Sequence, residues 1–321
     1  MTVENAPVAG RDYPRGWAEL NAWFPDDDAC LAYLRDLRWP QGFACARCGV
    51  VEEPWVQSRG RLTCRSCRHQ TSVTAGTVFA KTRTPMTIWF AAAWYVTNQK
   101  FGASALGLQR VLGLGSYQTA WTILHKLRRA MVRPDRDRLA GLVEVDETYV
   151  GGEEKGVAGR QTHTKAIVAI ALELHEPRGY GRVRLAQVPD VTALSLVGFV
   201  RETITPGSTV ATDGWPSYGP ITKHGYVHKP TSISASGDPA HVVMPGVHRI
   251  ASLLKRWLLG THQGAVRREH LDAYLDEYTF RFNRRHSRAR GLLFYRLLQQ
   301  AVQTPPAPYN DIIAQEGQHK M

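Results

Sequence analysis

The stretch Leu142–Gly152, LVEVDETYVGG, decides the reading of this chain. Its β-branched and apolar residues fit a strand, and the paired glycines end it. Asp146 lies in the middle of that run. A carboxylate inside an apolar strand is costly unless something offsets its charge, and a divalent cation is one such partner. A second run, Val210-Ala-Thr-Asp213-Gly-Trp215, again ends a β-type segment on an aspartate beside glycine. An aspartate at a strand end is commonly a turn residue, so either motif alone says little. Two of them on separate strands of one β-rich region point to a paired-carboxylate metal site.

Around these motifs the chain reads as α/β. KAIVAIALEL (165–174) and RVRLAQV (182–188) are further strands, and DVTALSLVGFVRETI (190–204) is a helix. From Gly246 the pattern is helical through the RGLLFYRLLQQAVQ run (290–303). Upstream of a boundary near Asp135–Leu139 the character changes. Trp23 to Pro40 reads as a short helix opened by Asp26–Asp28, and residues 84–133 read as helices started by Thr84-Pro85 and divided by Gly113 and Gly115. The expected organisation is an N-terminal helix and cysteine-rich ribbon over 19–80 and a helical region over 81–138. A mixed sheet with flanking helices follows over 139–303, then a loosely ordered tail over 304–321.

Cys45-Ala-Arg-Cys48 and Cys64-Arg-Ser-Cys67 are separated by fifteen residues. Each pair presents two thiolates from one tight knuckle, and two knuckles complete a tetrahedral site for one structural Zn²⁺. All four positions are filled by protein, which leaves no place for a catalytic water. The fifth cysteine, Cys30, falls on the apolar pattern of the first helix and reads as a packed core thiol.

Lys and Arg number 40 against 28 Asp and Glu, a net charge of +12. The excess is concentrated in two zones. From Arg59 to Arg138 there are fourteen Lys/Arg with only Asp135 and Asp137 as acids, and from Arg249 to Arg296 eleven against four. Two basic zones around a balanced middle fit a polyanion gripped at two places. In the ribbon, Arg65 and Arg68 are candidates for phosphate contact. The two helices around Gly113 and Gly115 have helix-turn-helix spacing, with Gln118, Thr119 and Thr122 where bases would be read. Lys126, Arg128 and Arg129 follow at the end of that helix. The same pattern also fits a plain packing bundle. Arg281-Phe-Asn-Arg284-Arg285 sets an aromatic among guanidiniums, which suits nucleic acid, or a basic face on a packing helix. Glu147, Glu153 and Glu154 read as solvated. No apolar run is long enough for a membrane helix, and the first residues lack a signal-peptide pattern, so the expected compartment is the cytoplasm.

Taken in order, the four-cysteine ribbon, VDETYVGG, TDGW, KRWLLGTHQG and HLDAYLDEYTFRFNRR resemble the ISXO-type group of bacterial insertion-sequence transposases. The resemblance runs from about Cys45 to Arg296. It implies a ribonuclease H-like core of the DDE superfamily, double-stranded DNA as partner (element ends and target), and two catalytic Mg²⁺ or Mn²⁺ ions. It also implies a homo-oligomer on DNA. Asp146 and Asp213 would be the first two metal-binding acids. The general pattern then expects a glutamate about 34 residues on, seven before a basic residue. His248 and Lys255 stand at those positions, and no Asn or Glu lies between Asp213 and Lys255. A neutral imidazole can ligate a divalent metal, with a shift in preference towards Mn²⁺; His248 is otherwise an ordinary helix-start residue. The resemblance therefore implies metal-dependent cleavage and strand transfer. A degenerate transposase or zinc-ribbon regulator, and a nuclease that only hydrolyses, are the competing readings.

Overall fold

The strand Leu142–Val150 holds the second half of the chain together because its neighbours on both sides are apolar enough to bury it. In the computed structural model, which describes residues 6–133, 135–152, 164–175, 177, 179–231 and 240–313, the elements run as follows. The N-terminal half contains α1 (Trp17–Trp23), α2 (Asp27–Arg38), β1 (Trp55–Gln57), β2 (Arg61–Thr63), β3 (Gln70–Ser72), α3 (Met86–Asn98), α4 (Ala105–Leu112) and α5 (Tyr117–Arg129). Then come β4 (Leu142–Val150), β5 (Ala166–Leu174), β6 (Tyr180–Val188), α6 (Ala193–Thr203), β7 (Thr209–Thr212) and β8 (Val227–Pro230). Helices α7 (Pro245–His262), α8 (Leu271–Asn283), α9 (Arg290–Ala301) and α10 (Tyr309–Ile313) complete the chain. Among the described residues no helix is long and apolar enough to cross a membrane.

The chain forms two compact units, one from Met1–Arg133 together with His286–Met321, the other from Pro134–Arg285. In the first, Asp26 caps α2 as its position suggests, accepting the Ala29 N–H at 2.8 Å. Pro85, not Thr84, is the residue at the start of α3, and no side chain caps it. Strands β1, β2 and β3 form a small antiparallel sheet in that order. Helices α4 and α5 are joined through Gly113, which takes φ 61° as a left-handed helix end requires.

The sequence reading kept residues 286–303 with the β-rich region, whereas the structure returns them to the first unit. The physical reason is aromatic. Phe294 on α9 is fully buried, with ring centroids 6.1 Å from Phe24, 5.7 Å from Phe90 and 5.5 Å from Trp94. The described part of the expected tail is also ordered by packing: α10 buries Ile312, and Tyr309 meets the edge of Trp121.

The second unit is built on a five-stranded sheet ordered β6-β5-β4-β7-β8. Strands β6, β5 and β4 run antiparallel to one another, and β7 and β8 run parallel to β4. Strand β5 is buried over nearly its whole length, which its unbroken AIVAIAL run allows. Period two then divides the layers. Val143, Val145, Ala169 and Val210 meet α6 and the 3-10 stretch Pro216–His224 on one face. Val168, Ile170 and Leu172 meet α7 and α8 on the other. Strand β8, a short and mostly exposed edge, is absent from the sequence reading because VHKP carries little apolar signal. Phe294→Ala should cost the first unit about 3–5 kcal/mol, the range for an aromatic truncated in a packed core. Denaturant unfolding followed by tryptophan fluorescence would measure it, and a loss below about 1 kcal/mol would mean that α9 is not part of that core.

Candidate functional site

The four ribbon cysteines converge. Their sulfurs all lie within 4.8 Å of one another, with Cys45–Cys67 and Cys48–Cys64 each at 3.6 Å. A tetrahedral ZnS₄ centre with Zn–S of ~2.3 Å has sulfur edges of about 3.8 Å, so the quartet fits a structural zinc. The two knuckles repeat one backbone pattern. Gly49 N–H reaches the Cys45 carbonyl at 2.9 Å, and Arg68 N–H reaches the Cys64 carbonyl at 3.1 Å. Both closing residues take positive φ, 73° for Gly49 and 60° for Arg68. The N–H of Cys48, foremost among several donors and against partial desolvation, pulls the Cys45 thiol down to about 6. Cys30 is fully buried in α2, away from this cluster.

On β4, Glu144 and Asp146 share the face that meets α7. Asp146 is mostly buried, and its Oδ2 lies 3.7 Å from Nε2 of His248 in the first turn of α7. The parallel register pairs Val143 with Val210 and Glu144 with Ala211. That pairing stops there and β7 closes at Thr212, so Asp213 follows directly after the end of the neighbouring parallel strand. Asp213 also makes a turn: its Oδ1 accepts the Trp215 N–H at 3.0 Å, and Gly214 takes φ 80°. Lys255 stands two helical turns beyond His248 on α7. Partial burial lowers its pKa, and the nearby Lys165 charge adds to that. Carboxylate oxygens and a neutral imidazole suit Mg²⁺ or Mn²⁺. Among the described residues only the cysteines gather three or more ligating atoms within 4.8 Å, so the acids and His248 do not close on one small ion.

Four neighbours of this site, Glu144, Gly246, Glu147 and Tyr218, carry roles that the sequence reading missed. Glu144 is buried and its Oε2 accepts the Val247 N–H at 2.9 Å, tying β4 to the start of α7. Burial raises its pKa, and the N–H groups of Val247 and Gly246 pull it partly back. Gly246 lets the helix come this close, since a Cβ there would lie 2.5 Å from Glu144 Oε2. Glu147, expected to be solvated, is instead buried and accepts the Tyr218 hydroxyl at 3.0 Å. Tyr218 is fully buried, and its pKa is pushed well up by burial first, then by the charges of Glu147, Asp146 and Asp213. One phenol thus senses all three acids. Period two marks Glu144 as a facemate of Asp146, and that signal was legible; the Glu147–Tyr218 contact, 71 residues apart, was not. Glu153 and Glu154 lie outside the described residues.

The expected DNA-contact residues divide sharply. Arg65 and Arg68 are exposed on the ribbon, with the Arg68 guanidinium 4.2 Å above the Trp55 ring. Gln118 is exposed, while Thr119, Thr122, Lys126 and Arg129 are half-buried along α5. The Thr122 hydroxyl donates to the Gln118 carbonyl at 2.7 Å. Arg128 must be withdrawn as a contact: at 2% exposure it sits one turn beyond Leu124 on the helix's buried face. Arg281 is withdrawn too, because its Nε donates to the fully buried Glu277 at 2.9 Å. Arg284 and Arg285 lie 4.0 Å over the Phe280 and Phe282 rings, and Arg285 also donates to the carbonyls of Tyr180 and Gly181. The aromatic-and-arginine run thus staples α8 to β6.

The cysteine geometry makes a direct prediction. Metal analysis of the purified chain should find about one tightly held zinc, and Cys64→Ser should release it and unfold the ribbon, because such small folds draw their stability from the metal. Folded protein without zinc would overturn the assignment.

Residues 138–283 match the family model described as the ISXO2-like transposase domain, and residues 25–70 match the transposase zinc-ribbon domain. The two matched segments contain, respectively, the carboxylate site with its helix α7 and the four-cysteine cluster. No curated protein and no solved structure matches the chain. With both matches in the order that the motifs require, the chain carries a transposase zinc-ribbon domain followed by an ISXO2-like transposase domain.

Proposed function

We propose that this transposase binds the ends of its insertion sequence and carries out divalent-metal-dependent strand cleavage and strand transfer. The observation that carries the reading is the approach of His248 Nε2 to Asp146 Oδ2 at 3.7 Å, with Asp213 directly after the end of β7, the strand parallel to β4. The sheet order, three antiparallel strands continued by two parallel ones, supports a ribonuclease H-like core. Asp146, Asp213 and His248 would hold two Mg²⁺ or Mn²⁺ ions, which when bound activate a water or 3′-hydroxyl and stabilise the leaving oxygen. The chain's own part is positional. Glu144 fixes the start of α7, the Glu147–Tyr218 contact ties β4 to the stretch that follows Asp213, and Lys255 would meet the substrate phosphate.

DNA recognition falls in this reading to the first unit. Arg65 and Arg68 would contact phosphates, and Gln118, Thr119 and Thr122 would face bases, with Lys126 and Arg129 nearby. We place the enzyme in the cytoplasm, with its DNA, and as a homo-oligomer when bound to it. A histidine where the general pattern has glutamate favours one second reading, a chain that binds ends without cutting them.

Cleavage of labelled element ends separates the two. Asp146→Asn and Asp213→Asn should keep the fold and DNA binding while cleavage falls by more than the ~10–100-fold that losing a supporting outer-shell partner costs. His248→Ala should fall likewise, and His248→Glu should recover activity with a changed Mg²⁺/Mn²⁺ preference. An alanine variant that cuts normally with either metal would remove His248 from the site. A wild-type chain that binds ends and never cuts them would establish the second reading.

A further inference from the structure

Beside His248, helix α7 and the first residue of β6 border a cleft of about 440 Å³. Its lining includes Tyr180, His248, Arg249, Ser252, Leu253 and Arg256. The helical members form one stripe, because positions 249, 252, 253 and 256 recur at the three- and four-residue spacing of a single helix face. Arg249 and Arg256 stand two turns apart, ~10.5 Å along the axis. Both are exposed, and among the described residues neither makes an ion pair or hydrogen bond. Tyr180 and Leu253 are half-buried and pack against the apolar cluster beneath α7, which gives the cleft a partly apolar floor. Among the described residues no carboxylate lines it.

That combination selects a ligand chemistry. Two guanidiniums without a protein counter-charge call for an anion, and their planar, forked donors suit phosphate oxygens. An aromatic and an aliphatic floor call for a flat apolar body. The volume lies at the small end of the ~300–1,000 Å³ typical of small-ligand sites. It is therefore large enough for one nucleotide and too small to enclose a base-paired one. His248 borders both this cleft and Asp146, so a nucleotide lying here reaches the His248 edge of the carboxylate site.

We propose that the cleft binds the unpaired nucleotide adjoining the reacting phosphodiester, with its base against Tyr180 and Leu253 and its phosphates on Arg249 and Arg256. Ser252, between the two arginines, supplies a hydroxyl to the phosphate or sugar. The inference rests on the transposase reading for the identity of the strand, and it assigns the cleft the task of holding that strand's end in register with Asp146 and Asp213.

Affinity of the full chain for two labelled probes tests it: a blunt duplex of the element's end sequence, and the same duplex with a short unpaired tail at the cleavage side. The wild type should bind the tailed probe about 10-fold tighter or more, in line with stacking and phosphate contacts to single strands. The Arg249→Ala/Arg256→Ala double variant should lose that preference while retaining duplex affinity, which also reports that it is folded. A fluorescent adenine analogue in the tail should be quenched by the wild type, and Tyr180→Leu, which keeps an apolar floor, should relieve the quenching. Equal affinity of the wild type for both probes, or a preference that survives in the double variant, would overturn the proposal. Asp146-dependent cleavage is scored separately: an active enzyme without the preference removes the cleft alone, and a preference in a chain that never cuts removes the catalytic reading alone.

Discussion

The second unit depends on one hydrogen bond, from the Val247 N–H to the Glu144 carboxylate. Helix α7 begins at Pro245 with Met244 before it, and neither offers a side chain to its first N–H groups. Those orphan donors carry the positive end of the helix dipole. The sheet supplies the missing acceptor from β4, and Gly246 removes the only side chain that would stand in the way. Once that contact forms, the position of His248 follows, because it is the next residue along. Alanine at Gly246 would drive its Cβ into both Glu144 Oε2, at 2.5 Å, and Leu172 Cδ2, at 2.8 Å.

The acids of the sheet show how differently one residue type can be offset. Glu173 on β5 is buried against Arg182 at 2.7 Å and also takes the Ala140 N–H. Despite its burial, those partners hold its pKa below the ordinary value. Glu147 has a tyrosine hydroxyl, and Glu144 has helix N–H groups that leave its pKa raised. Asp146 accepts the Glu147 N–H on Oδ1 at 2.8 Å, while its Oδ2 faces a histidine at a distance longer than a hydrogen bond. An acid inside a β-run is thus not by itself a metal ligand. What distinguishes Asp146 is the imidazole near it and the second aspartate just past the end of the neighbouring parallel strand.

Much of this was legible in the chain. The strands over 142–150, 166–174 and 180–188 follow from apolar runs, and the cysteine knuckles follow from spacing alone. The two aspartates stand out because they interrupt those runs. What stayed hidden depends on burial that only tertiary packing sets. Arg128 and Arg281 look like surface cations in any count of charge, yet one lies on the packed face of α5 and the other is paired with the buried Glu277. Glu147 looked solvated because its partner, Tyr218, comes from a different element. The end of the β-rich unit was misplaced for a similar reason. The apolar stripe of α9 says that it must pack, and nothing local says that its partners are Phe24, Phe90 and Trp94.

The chain leaves the first unit after Arg133 and rejoins it at His286. Consider the protein as it is synthesised, from the N-terminus onward. All strands of the sheet, with α7 and α8, are complete before Phe294 is made. The second unit can fold on emerging, as domains generally do. Helices α2 and α3, though made first, lack the Phe294 ring that completes the cluster of Phe24, Phe90 and Trp94 until α9 arrives. The aromatic core of the first unit is therefore the last to close, and a ribosome that stops short of α9 releases a finished sheet with an unfinished helical core.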